Sequence, residues 1–182
     1  MNLPSGTPTF LFTDIEGSTK LAQENPESWE VARARHHEIL RNAIEANNGY
    51  VFQTIGDAFC ATFHKAGESL QAAIKAQQDL QTEKWGEVTI RVRMGIHTGE
   101  AELQEDGQYQ GYLAMSHVQR IMSAGHGGQV LLSEATYGLI RSTLPSDTEL
   151  MLRRRRWRCS GWWRISLAWC RRPSRHSSSS WK

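Results

Sequence analysis

The segment Phe12–Thr19, with the sequence FTDIEGST, holds the densest set of side chains that could do chemistry. Asp14 ends an apolar run, and Gly17–Thr19 follow as a turn into a predicted helix. A carboxylate is a ligand that suits Mg²⁺, and the unpaired N–H groups at a helix start suit phosphate. The segment therefore indicates a site for a divalent cation beside a phosphate. The alternative is that Asp14 or Ser18 only caps the helix.

A second carboxylate, Asp57, stands between two β-prone stretches, Tyr50–Ile55 and Ala58–Phe63. The connection Gly56-Asp57 has two residues with glycine first, which is typical of a type II′ hairpin turn. If Asp57 approached Asp14, the pair could hold two cations about 4 Å apart, as in two-metal enzymes. The alternative is a solvated turn aspartate, which is common. The spacing along the chain leaves both possibilities open.

The elements that must position these residues alternate between strand-like and helix-like patterns. Apolar periodicity and capping residues predict strands at 7–12, 50–55, 58–63, 88–97 and 129–132, and helices at 26–48, 66–81, 116–124 and from 134 to before Pro145. Because the hairpin makes two neighbouring strands antiparallel, we expect an α+β fold with a mixed or antiparallel sheet and helices packed on it. His36 and His37 are predicted to be packing or solvated residues rather than metal ligands, and Cys60 a small buried hydrophobe.

Length and composition favour one soluble domain. The chain has 182 residues, 39% of them hydrophobic, and no apolar run approaches the ~20 residues of a spanning helix. The N-terminus lacks the pattern of a signal peptide, and the three cysteines form no CxxC pair. We therefore expect a cytoplasmic protein with reduced thiols and no membrane partner.

Charge divides the chain at residue 150. All 19 acidic residues lie in 1–150, which carries a net charge of −8, whereas 151–182 carries +10 and five of the seven tryptophans. The sequence predicts a domain over 1–150 and a poorly ordered basic tail over 151–182. The abrupt change fits a shifted reading frame, and the alternative is an arm that binds nucleic acid or anionic lipid.

Four blocks of the sequence resemble the catalytic domain of the class III adenylate and guanylate cyclases. They are FTDIEGST (12–19), TIGDAFCATF (54–63), RVRMGIHTGEA (91–101) and AGHGGQVLLS (124–133), in the family's order and approximate spacing, and the resemblance covers about 8–150. It implies a ferredoxin-like βαββαβ core with additional elements. It also implies a homodimer that uses two Mg²⁺ or Mn²⁺ ions at its subunit interface to convert ATP or GTP into a 3′,5′-cyclic nucleotide and pyrophosphate.

The resemblance also implies roles for individual residues. Asp14, Asp57 and the carbonyl of Ile15 match the metal ligands, and Arg120 matches an arginine that stabilises charge on the phosphates. Gly17, Ser18, Thr19 and Arg93 match positions that contact the triphosphate. An alternative for Arg93 is a cross-strand partner for an acidic residue on the sheet surface.

Three positions depart from the family pattern. Gln53 stands where adenylate cyclases have lysine and guanylate cyclases glutamate, and Gln108, or alternatively Tyr109, falls at the second purine-reading position. Glutamine can donate or accept, so the base preference stays open. Ser116 replaces the asparagine that orients the ribose.

The C-terminal segment departs as well, because the basic tail replaces the family's last strands and their phosphate-binding lysine. We therefore expect the sheet to lack its last strand and to expose an edge. An alternative function is a weak or inactive cyclase-like module that senses nucleotide within a larger regulator.

Overall fold

The computed structural model describes residues 3–144, 150–154 and 163–167. The helices and strands are, in chain order, β1 (Thr9–Ile15), α1 (Ser18–Glu24), α2 (Pro26–Glu45), β2 (Tyr50–Ile55), β3 (Ala58–Phe63), α3 (Ala66–Thr82), β4 (Val92–Thr98), β5 (Glu102–Leu103), β6 (Tyr109–Gln110), α4 (Tyr112–Ser123), β7 (Val130–Leu132), α5 (Glu134–Ile140), β8 (Leu150–Arg154) and β9 (Trp163–Leu167). In these ranges no helix combines the length and the apolar character needed to cross a membrane.

The central sheet confirms the predicted ferredoxin-like core. Its strand order is β2-β3-β1-β4-β7-β9-β8, with β1 antiparallel to both β3 and β4, and β4 parallel to β7. Helices α1 and α2 connect β1 to β2, and α3 connects β3 to β4, which completes the βαββαβ order. Gly56 has φ 62°, as the first position of the predicted hairpin turn requires.

One face of the sheet is covered by α2 and α3. Helix α2 starts at Pro26, and the residues that recur at helical spacing, from Trp29 to Ala43, are buried as predicted. They pack with the inward side chains of the strands, including Leu11 and Phe59, in the main hydrophobic cluster. This layer fixes β1 and β3 side by side.

The other face is covered by α4. Gly95 allows the close approach, since a Cβ there would lie 2.7 Å from the backbone nitrogen of Met122. A smaller cluster forms here around Phe10, Phe12 and Val118. Cys60 belongs to it, as predicted, and burial raises the pKa of its thiol to about 11.

Several predicted boundaries were wrong. Strand β1 covers Thr9–Ile15 rather than 7–12, α2 ends at Glu45 rather than at 48, and α5 ends at Ile140 rather than just before Pro145. Strand β4 begins at Val92 rather than at residue 88, because Val92 pairs with Ile15, the last residue of β1. Helix α4 begins at Tyr112 rather than at 116, directly after β6. By contrast, Ser133 caps α5 as predicted, and its hydroxyl accepts from the backbone N–H of Thr136.

The expectation that the sheet lacks its last strand was also wrong. Strands β8 and β9 pair with each other, and β9 adds to β7 with Leu132 opposite Ile165. The basic segment therefore supplies two strands that cover the edge of β7. The predicted poor order of the other tail residues, including 177–180, lies outside the described residues.

Candidate active site

The two predicted metal ligands come together at one end of the sheet. Asp14 lies near the end of β1, and Asp57 lies in the turn that leads into β3, the neighbour of β1. The backbone N–H of Ile15 donates to Oδ2 of Asp57 at 3.1 Å, across 42 positions of sequence. Asp57 is therefore tied to the residue that follows Asp14, and both carboxylates are partly exposed.

A second contact joins the same two strands beside this one. Thr13 lies opposite Phe59, and its hydroxyl oxygen accepts from the Phe59 N–H at 3.2 Å. The sequence reasoning assigned no role to Thr13. The signal that could have found it is a polar residue inside an otherwise apolar run, where burial demands a hydrogen-bond partner.

Arg93 lies directly opposite Asp14 on the neighbouring strand β4. Its Nε donates to Oδ2 of Asp14 at 2.8 Å, and its Nη2 donates to the same oxygen. Both side chains are partly buried. This contact matches the cross-strand alternative for Arg93, and a contact of Arg93 with a triphosphate stays a prediction.

The turn after Asp14 leads directly into α1. Gly17 has φ 72° and occupies the position before the helix, a conformation that favours glycine. No side chain caps α1, so neither Asp14 nor Ser18 has the alternative role of a helix cap. The N–H groups of Ser18 and Thr19 precede the first helical hydrogen bond, which the Leu21 N–H donates to the carbonyl of Gly17, so they lack partners within the helix.

The fourth motif block lies beside this turn. The loop before β7 runs along the start of β4, with the Gly128 N–H donating to the carbonyl of Val92. Nδ1 of His126 lies 3.8 Å from Oε1 of Glu16. A Cβ at Gly127 would meet the Glu16 carboxylate at 2.8 Å, so this glycine lets the loop approach. The sequence blocks 12–19 and 124–133 are thus neighbours in space.

The predicted base and phosphate residues on the remaining elements have exposed side chains. Gln53 on β2, Gln108 before β6 and Arg120 on α4 are exposed. Within the described residues, none of them forms a hydrogen bond or ion pair with Asp14 or Asp57. Because these side chains face solvent, they are accessible to a ligand or to a second chain.

Two of the weighed positions have partners of their own. The hydroxyl of Ser116 donates to the carbonyl of Leu113, one turn earlier in α4, at 3.0 Å. Tyr109 is buried, and its hydroxyl donates to the carbonyl of Pro4 at 2.7 Å. Gln108 rather than Tyr109 is therefore the accessible candidate for reading a base.

The donor atoms at the site fit a hard divalent cation. Among the described residues, no group of three or more His, Cys, Asp or Glu side chains could hold a metal ion. Two carboxylates and the carbonyl of Ile15 are nevertheless the oxygen donors that Mg²⁺ takes when substrate phosphates complete its coordination. Substrate phosphates would add ligands to those that the protein supplies.

Comparison with known proteins decides the family. The sequence model of the adenylate and guanylate cyclase catalytic domain matches residues 4–156. The chain belongs to this family. An uncharacterized protein of Mycobacterium tuberculosis is 37% identical over 150 residues, which cover 81% of this chain and 50% of that protein.

Two trypanosomal proteins extend the comparison of this cyclase domain. A receptor-type adenylate cyclase of Trypanosoma congolense is 30% identical over 170 residues, covering 71% of this chain and 23% of that protein. An adenylate cyclase structure from Trypanosoma brucei, described in its monomeric state, superimposes with a TM-score of 0.80 at 23% identity and covers 98% of this chain and 94% of that one. This cyclase domain spans about half the length of the mycobacterial relative.

Proposed function

We propose that this cyclase domain converts ATP or GTP into a 3′,5′-cyclic nucleotide and pyrophosphate, in cytoplasmic signalling. The observation that supports this most is the hydrogen bond from Ile15 to Asp57, because it brings the two carboxylates to one end of the sheet. In the reaction, the ribose 3′ oxygen loses its proton to solvent and bonds to the α-phosphorus. The bond from that phosphorus to the bridging oxygen breaks, and pyrophosphate leaves.

Asp14, Asp57 and the Ile15 carbonyl would hold two Mg²⁺ or Mn²⁺ ions. When bound, such ions favour the ionised 3′ oxygen and offset the charge of the departing pyrophosphate. Gly17, Ser18 and Thr19 would orient the phosphates through their backbone N–H groups. These residues lie immediately after Asp14, so one turn would supply both functions.

The charged and polar residues around the aspartates would stabilise and select the nucleotide. Arg93 already faces Asp14 and could turn its guanidinium to a phosphate when a cation takes the carboxylate. Arg120 would add positive charge at the phosphates, and Ser116 would orient the ribose. Gln53 and Gln108 would contact the base, and their amides suit adenine and guanine equally.

A homodimer would complete the site. Ser116 and Arg120 lie on α4 without a hydrogen bond or ion pair to the aspartates in the described part of the chain, so a second copy could bring its own α4 to them. The start of α4 also exposes two large apolar side chains, Tyr112 at 84% and Leu113 at 71%. Neighbouring exposed apolar side chains are typical of a protein–protein interface.

A second candidate function is a cyclase-like module that binds nucleotide without turnover. It is favoured by Ser116, whose hydroxyl already donates to its own helix and has a shorter reach than asparagine. In this case the protein would bind ATP or GTP and signal through a partner.

Incubation of the purified chain with ATP or GTP and Mn²⁺, with cyclic product measured, separates the two functions. We expect product formation that falls about 10²- to 10³-fold in Asp14→Asn and in Asp57→Asn. Asp79→Asn, which removes a carboxylate on α3 that pairs with Lys75, is the matched control and should keep activity. A second version of the chain, in which the corresponding segment of the mycobacterial relative replaces residues 151–182, is assayed in the same way.

Product that persists in both aspartate variants would contradict the proposal. If both versions of the chain bind nucleotide and neither forms product, the result would support the sensing module instead.

A further inference from the structure

Thr13 is a buried threonine on the strand that carries Asp14. It is fully buried, and it shares the helix-covered face of β1 with Leu11 and Ile15 because side chains alternate along a strand. Its hydroxyl oxygen accepts from the N–H of Phe59 at 3.2 Å. A buried valine of the same shape would fill the same space, so the hydroxyl itself needs an explanation.

The hydroxyl acts on the backbone that leads out of the Asp57 turn. Phe59 is two residues after Asp57, and the other side of that turn is held by the bond from the Ile15 N–H to Asp57 Oδ2. The two hydrogen bonds are formed by Thr13 and Ile15, which flank Asp14. They therefore tie β3 to β1 on both sides of the predicted metal ligands.

The side chain of Phe59 is also fixed, from the direction of α2. Its ring forms T-shaped contacts with the rings of His36 and His37, with centroids 6.0 and 5.1 Å apart, and the guanidinium of Arg41 lies 5.8 Å from its centroid. With the ring held by α2 and the N–H held by Thr13, Phe59 is a rigid base for the turn.

We propose that Thr13 is a positioning residue, which sets the separation of the Asp14 and Asp57 carboxylates by anchoring the backbone of Phe59. This inference rests on the proposed function, since it assumes that the two carboxylates hold divalent cations. Groups outside the ligand set that orient metal ligands typically change metal affinity about 10- to 100-fold when they are removed. Thr13 acts through a strand rather than directly on a ligand, so the lower limit applies.

The chain offers a matched control in Thr9. This residue lies on the same strand and the same face, it is equally buried, and its hydroxyl bonds to that of Thr98 at 2.9 Å. It lies four positions before Thr13, about 13 Å along the strand and away from the turn. Thr9→Val therefore removes a similar buried hydrogen bond without touching the Asp57 turn.

The test measures the affinity of the full chain for Mn²⁺ without nucleotide, with the paramagnetic resonance signal of free Mn²⁺ as the readout. We expect Thr13→Val to weaken Mn²⁺ binding about 10-fold, and Thr13→Ser, which keeps the acceptor oxygen, to stay within about 2-fold of the unsubstituted chain. Thr9→Val should lower the melting temperature by less than Thr13→Val, because Thr98 keeps its hydrogen bond to Thr136, and it should leave Mn²⁺ affinity unchanged. If Thr13→Val does not fold, Thr13→Ala lacks the same acceptor and takes its place.

Two results would overturn the inference, and they differ from a failure of the proposed function. Unchanged Mn²⁺ affinity in Thr13→Val, or an equal loss in Thr9→Val, would show that Thr13 is only a structural residue. Binding that is the same in Asp57→Asn as in the unsubstituted chain would instead show that Asp57 holds no ion, which removes the proposed metal site and the inference with it.

Discussion

The two faces of the sheet differ in how completely they are covered. The face under α2 and α3 carries the large cluster that includes Leu40, Phe59 and Leu70, and these side chains are at most 2% exposed. Within the described ranges, α4 is the helix on the opposite face, with Ala101 and Tyr109 beside it, and partly buried side chains such as Phe52 and Met115 surround its cluster. Asp14 lies on this second face, in line with Phe10 and Phe12 on β1.

The two faces of the sheet also differ in the kind of side chain that they carry. The closed face holds the larger buried apolar cluster, whereas the open face carries Asp14 and its ion pair with Arg93. A charged residue such as Asp14 is tolerated there because the cover is incomplete and Arg93 pairs with it. Changes on the two faces should therefore have different consequences.

The largest expected difference concerns apolar truncations on the two faces. Leu40→Ala on the closed face should lower the free energy of unfolding by about 3 kcal/mol, because it leaves a cavity in a fully packed region. Leu113→Ala at the exposed start of α4 should change it by less than about 0.5 kcal/mol. Urea denaturation of both variants measures this, and equal losses would contradict the contrast between the faces.

Acid should act on both faces through one buried histidine each. Burial, together with the neighbouring ring of His37, lowers the pKa of His36 to about 3, and burial beside His117 lowers that of His97 to about 4. Their pKa when unfolded is about 6.5, so below that pH the unfolded chain binds protons that the folded chain does not. Each histidine should therefore reduce the stability by about 1.4 kcal/mol per pH unit as the pH falls below 6.5.

The two histidines can be told apart by where this loss stops. The part due to His97 should end near pH 4, and the part due to His36 should continue towards pH 3. His36→Phe should remove its part of the slope, measured as the difference in unfolding free energy from the unsubstituted chain between pH 7 and 5. His126→Gln is the exposed control, and an unchanged slope in His36→Phe would count against a neutral buried His36.

A smaller effect is expected from the ion pair on the open face. Arg93 occupies an oxygen of Asp14 and adds positive charge beside it, so Arg93→Gln should tighten Mn²⁺ binding without nucleotide by about 3- to 10-fold. Arg91→Gln removes the same charge from an exposed position two residues earlier and should change Mn²⁺ affinity less. Isothermal titration of both variants compares them, and weaker binding in Arg93→Gln would mean that the arginine supports the cation.

The sequence allowed the closed face and the motif positions to be predicted, because their signals are local. Helical spacing identified the buried side of α2, and the glycine at position 56 identified the hairpin that carries Asp57. Boundaries such as the start of β4 depend on where a partner strand ends, and the chain order alone does not contain that information. The strands β8 and β9 were missed for a different reason, because the tail that contains most of them shows no clear strand periodicity in its sequence.

The site itself was predicted in part. The approach of Asp57 to Asp14 was a possibility from the sequence, and the four motif blocks raised it through their resemblance to cyclases. The contact of Thr13 was not predicted, and for Arg93 the sequence offered a cross-strand acidic partner only as an alternative, without naming Asp14. Each contact depends on the register between strands that are distant in the chain. The roles of Gly17, Ser18, Thr19, Gln53, Gln108, Ser116 and Arg120 stay predictions.

Crystals of the chain grown with Mn²⁺ and a non-reactive triphosphate analogue test the central claim most directly. Anomalous scattering from manganese should show a peak with carboxylate oxygens of Asp14 and Asp57 at about 2.1 Å, next to the turn at Gly17–Thr19. Manganese bound elsewhere, with neither aspartate in contact with an ion while the nucleotide is present, would contradict it.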